Sequence, residues 1–118
     1  MSSQHKIGRW LFALPLAVFG ILHLMAGSQM ANVVPAWIPG GVVWVYITGA
    51  AMLAGAVAMI TGKKAKLASQ LTALLMLIFA LTVQLPGVMG GNQMAMPGLL
   101  KDIMLCGGAL LIAHLSEE

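Results

Sequence analysis

Four stretches of the chain are almost free of charge, each about as long as a membrane-crossing helix, and the charged residues sit in short clusters between them. They run over about 10–27, 42–61, 67–85 and 99–115. Backbone polar groups in hydrocarbon have no water to bond, so apolar segments of this length cross as closed helices. Sixty per cent of the residues are hydrophobic and only 8% charged, against roughly 25% charged in soluble domains. A chain of 118 residues with four spans has room only for short connections. Soluble catalytic domains and extramembrane binding modules are thereby excluded, and any chemistry sits in the bundle. The expected fold is all-α, a single transmembrane four-helix bundle running up-down-up-down.

The punctuation between spans is strong. Val34-Pro35-Ala36-Trp37-Ile38-Pro39-Gly40-Gly41 closes the first loop, Gly62 ends the second span, and Pro86-Gly87 is expected to stop the third. Lys6 and Arg9 before the first span also suit a secretory leader, but Pro15, His23 and the length of the apolar stretch favour an uncleaved helix. Lys6 and Arg9 at the N-terminus and Lys63, Lys64 and Lys66 in the middle loop face Lys101 alone on the opposite side. By the positive-inside rule both termini are cytoplasmic. Ala50, Ala54 and Ala58 recur every four positions in the second span and are expected to form a close helix contact, as are Gly20 and Gly27 in the first and Gly107-Gly108 in the fourth.

The net charge of +3 rests on six basic residues with no basic face to follow a phosphate backbone, so no nucleic-acid partner is expected. The single Cys106 can form neither an internal disulfide nor a C-x-x-C redox pair. Zinc spacings, phosphate loops and catalytic triads are missing from the sequence. Met25, Met30, Met89, Met94 and Met96 fall near the outer end, and Met94-x-Met96 has the form of a soft Cu(I) motif. Methionine is equally suited to lipid-facing and loop positions, so no metal site is expected. Small multidrug exporters use an intramembrane glutamate in the first span, whereas Glu117 and Glu118 are terminal here.

The unusual polar residues converge on the outer end: His23 near the end of span one, Gln84 at the end of span three, Lys101 and Asp102 at the start of span four. An ionised side chain at mid-membrane costs on the order of 2.5–3.5 kcal/mol on insertion scales. Lys101 can snorkel along its stem, whereas Asp102 cannot and needs a nearby partner. Gly20, His23 and Gly27 share a helix face, as do Ala73, Ala80 and Gln84, and Asp102, Cys106, Ala109 and Ala113. Small faces turn toward neighbouring helices, so a polar pocket is expected, with His23 bonded to Asp102 and with Trp37, Trp44 and Tyr46 at its wall. The candidate ligand-binding set is therefore His23, Trp37, Trp44, Tyr46, Gln84, Lys101 and Asp102. For each residue an ordinary structural role competes: an N-terminal dipole contact for Asp102, a backbone bond for His23, an interhelical bond for Gln84, and the interfacial aromatic belt for the tryptophans and tyrosine.

The runs Leu14-Pro15, Phe19-Gly20-Ile21-Leu22-His23, Val34-Pro35-Ala36-Trp37-Ile38-Pro39, Thr48-Gly49 and Lys101-Asp102 with Gly107-Gly108 give the chain its family likeness. It resembles the DoxX family of small four-helix membrane proteins over nearly its whole length. The resemblance implies a bacterial inner-membrane protein and a quinone-linked redox role, with relatives similar to a membrane subunit of thiosulfate:quinone oxidoreductase and to a component of an oxidative-stress complex. The sequence holds no haem, flavin or iron–sulfur ligand set, so no intrinsic cofactor is expected and a redox partner protein would bring electrons. The leading expectation is a redox-associated subunit binding a quinone or similar lipophilic molecule. The alternatives are a non-enzymatic membrane scaffold, alone or as a homo-oligomer, and a transporter or binding protein for a small lipophile or metal.

Overall fold

In a computed structural model, which describes residues 3–27, 40–93 and 95–116, the described residues form helices and turns with no strand. Four helices are each long and apolar enough to cross a membrane: α1 (Ser3–Met25), α2 (Val42–Thr61), α3 (Ala65–Met89) and α4 (Ala95–Leu115). The protein is an integral membrane protein. Its longest dimension, 43 Å, is close to the roughly 40–45 Å of a bilayer with its headgroups.

Hydropathy locates the hydrocarbon core, and helices run beyond it. Thus α1 begins at Ser3, well before the expected residue 10, because Gln4 to Arg9 contains no proline and its one glycine, Gly8, is tolerated within a helix. Helix α4 begins at Ala95 instead of 99, since Pro97 lies in the first turn, where a missing N–H leaves no intrahelical bond unmade. Helix α2 keeps the expected bounds and ends on Gly62, whose φ of 79° lets its N–H cap the carbonyl of Ala58 at 2.9 Å.

The expected stop at Pro86 does not occur. Ala80–Gln84 widens into a π turn, in which the N–H of Leu85 bonds the carbonyl of Ala80 five residues back, and the helix continues to Met89. A proline within a helix deletes the N–H that would reach the residue four before it and crowds that carbonyl. One wider turn absorbs the mismatch without ending the helix.

Helix α1 packs chiefly on α2, and α3 on α4; α2 and α3 join these hairpins. The core is thin, built from Ala13, Leu16, Met52, Ala56, Met59 and Met76. In lipid, close backbone approach replaces the hydrophobic drive, and the α1–α2 contact shows it. A Cβ on Gly20 would stand 2.8 Å from the carbonyl oxygen of Gly49, and one on Gly49 2.5 Å from the Cβ of His23. The buried face of α2 is Val45, Gly49, Met52, Ala56 and Met59 with Gly55. This corrects the expected Ala50/Ala54/Ala58 contact: Ala50 and Ala54 are exposed, because the glycines permit a closer approach than alanine and so set the helix phase.

Candidate functional site

Toward the end of the bundle opposite the lysine turn, the four helices line a half-open cavity of about 530 Å³. Leu16, Met52, Met76 and Leu105 form its apolar side, Phe19 and Phe79 its aromatic side, and His23, Gln84, Lys101 and Asp102 its polar side. Four of the seven candidate residues are therefore brought together from three helices.

Each is held by the local chain. His23 Nδ1 donates to the carbonyl oxygen of Phe19 at 2.6 Å, one helical turn back, and its ring lies nearly parallel to Phe79, 6.4 Å between centroids at 14°. A carbonyl only accepts, so Nδ1 carries a proton, and Nε2 is the ring nitrogen left facing away from the helix bond. Gln84 sits at the end of the π turn, which carries it with Val83 and Gly87 onto the cavity wall. Gly98 makes room for it: a Cβ there would stand 2.5 Å from Gln84 Oε1. Asp102, one turn beyond Gly98, is 2% exposed; its Oδ1 meets Lys101 Nζ at 3.9 Å and the Gln84 amide is within reach of the carboxylate, while Oδ2 is buried without a partner. Lys101 Nζ also lies 5.1 Å from the centre of the Phe19 ring, a cation–π contact worth about 0.5–2 kcal/mol.

The direct His23–Asp102 bond expected from the sequence is not made. His23 satisfies Nδ1 on its own helix, and the carboxylate is met by Lys101 and Gln84. The two residues share the cavity and are not a pair. Trp44 and Tyr46 do not line it; they are 44% and 41% exposed, and the Tyr46 ring packs where a side chain on Gly27 would go. They belong to the rim at the start of α2, a position typical of the interfacial belt. Trp37, Met30 and Met94 lie outside the described residues. Among the described residues no three His, Cys, Asp or Glu side chains are grouped as metal ligands.

Phe19, Phe79, Met52 and Met76 were not singled out by the sequence. Phe19 carried one usable signal, its position four residues before His23 and hence on the same face. The others are indistinguishable in sequence from lipid-facing residues.

The family model described as Domain of unknown function (DUF8561) matches residues 12–97, which spans α1 to the first turn of α4. The chain belongs to the DUF8561 family. The matched region contains Phe19, His23, Phe79 and Gln84, while Lys101 and Asp102 lie just beyond it. No curated protein and no solved structure matches the chain.

Proposed function

We propose that the protein binds a quinone, or a similar lipophilic molecule with an oxygen-bearing ring, in the cavity between the four helices. The observation that carries this reading is the arrangement of the wall: an apolar and aromatic body closed at one side by His23, Gln84, Lys101 and Asp102. Such a site fits a flat ring with polar edges and a hydrocarbon tail. His23 Nε2 accepts a ligand hydroxyl, as the reduced, quinol form presents, and the Lys101 ammonium and Gln84 amide donate to an oxygen across the ring. Asp102 keeps both donors in place and lets a cation sit in an otherwise apolar wall. The sequence resemblance to the DoxX family supports a redox-associated subunit, with electrons exchanged through a partner protein. In this reading the protein lies in the bacterial inner membrane with both termini cytoplasmic.

The test is binding of a short-chain quinol and its quinone to the purified full chain, followed by ligand fluorescence or calorimetry. His23→Leu is expected to abolish the preference for quinol. Asp102→Asn is expected to lower affinity on the order of tenfold, as the loss of one charge-assisted hydrogen bond does. Unchanged affinities for both forms in both variants would overturn the proposal.

A further inference from the structure

A second concavity, sharing no lining residue with the cavity, runs along the outside of α2 and α3. Its volume is about 490 Å³. The floor is Ala51, Ala54, Gly55 and Ala68, none with a side chain beyond a methyl, and the wall is α3 from Leu67 to Ile78, apolar but for Thr72, whose hydroxyl donates to the carbonyl oxygen of Ala68. Lys64 stands at its mouth, between Lys63 and Lys66 in sequence.

We propose that this groove binds one anionic glycerophospholipid, its phosphate on the Lys63–Lys64–Lys66 turn and one acyl chain along the groove. Charge points to the ligand. The three lysines make no ion pair among the described residues, and Asp102, at the other end of the bundle, forms the one salt bridge found there. Helix α3 starts beside them with no acidic residue in its first turn, so the positive end of its dipole lies at the same spot. Lys64 itself holds a φ of 57°, which bends the chain sharply at the mouth.

Length selects among apolar occupants. From Lys64 to Ile78 the groove follows roughly 21 Å of helix, at about 1.5 Å per residue. That is one leaflet with its headgroup layer, since half the hydrocarbon core is about 15 Å. A membrane-spanning helix would need a seat about twice as long. A second copy in the same orientation would bring its own three lysines against these, a like-charge contact in a poorly screened setting. A lipid satisfies the charge and the length together.

Purified full chain is titrated with dioleoylphosphatidylglycerol and, separately, dioleoylphosphatidylcholine, and retention is read by native mass spectrometry. One phosphatidylglycerol per chain is expected, retained on the order of 10- to 100-fold better than phosphatidylcholine. Lys64→Gln should cut that preference several-fold, and Lys63→Gln, Lys64→Gln and Lys66→Gln together should remove it. Ala54→Phe, which fills the floor, should release the lipid with every lysine intact, and Ala68→Leu does the same from the α3 side of the floor should the first variant fail to fold. Equal retention of the two lipids overturns the proposal. So does a phosphatidylglycerol preference that survives groove filling, which reduces the site to surface charge, or a dimer that groove filling dissociates, which assigns the groove to a second copy.

Discussion

Gly98 decides where Gln84 points. It leaves the amide room to lie against α4 and reach Asp102 a turn further on. Gly98→Ala would place a Cβ 2.5 Å from Gln84 Oε1, the free end of a flexible side chain, so the amide swings away at little cost to the fold. Thermal unfolding in detergent is expected to move by less than about 1 kcal/mol, while quinol affinity falls several-fold. A loss of stability as large as the loss of binding would show that Gly98 serves packing alone. His23 poses the opposite case. Its Cβ is wedged over Gly49, so the residue is positioned by backbone approach between α1 and α2 and not by any bond across the cavity.

Among the elements, α3 is the one whose geometry follows from a single residue. Pro86→Ala restores the missing N–H and is expected to let Ala80–Gln84 tighten to α-helical winding. Everything on one side of that turn rotates by about 100° relative to the other per residue of register lost. Circular dichroism is expected to show unchanged helix content, and quinol binding to drop at least tenfold because Gln84 leaves the wall. Binding at wild-type strength would mean that the wide turn has another origin. The same proline shows where sequence reading runs out. Hydropathy and turn chemistry reveal four helices, and the end of α2 at Gly62 to the residue, because these depend on local chain properties. Whether a proline ends a helix or widens it depends on what packs beyond it, here Gly87 against Ala95 at the start of α4. Likewise His23, Gln84, Lys101 and Asp102 are conspicuous because polar groups are rare in lipid, whereas the aromatic and methionine lining is written in residues that bilayer exposure also demands. Trp44 and Tyr46 illustrate the ambiguity in reverse: conspicuous residues whose place is the rim.

For the molecule as a whole, the proposed orientation has a direct check. Single cysteines replacing Gln4, Lys63 and Gln93, all exposed, in a Cys106→Ala background are expected to react with an impermeant maleimide in intact cells at position 93 alone. Labelling at position 63 would invert the bundle and carry the proposed quinol cavity to the other leaflet. The arrangement of the hairpins has a consequence of its own. Helices α2 and α3 are tied by the short turn through Lys63, whereas α1 and α4 meet over far less of their length. The bundle is bound like a book, with its spine at the lysine turn side and its free edge where Lys101 reaches across to the ring of Phe19. That contact is the clasp. In the proposed function, a guest dissolved in the bilayer reaches this edge by lateral diffusion, at the high local concentration that partitioning gives it, and needs no passage through water.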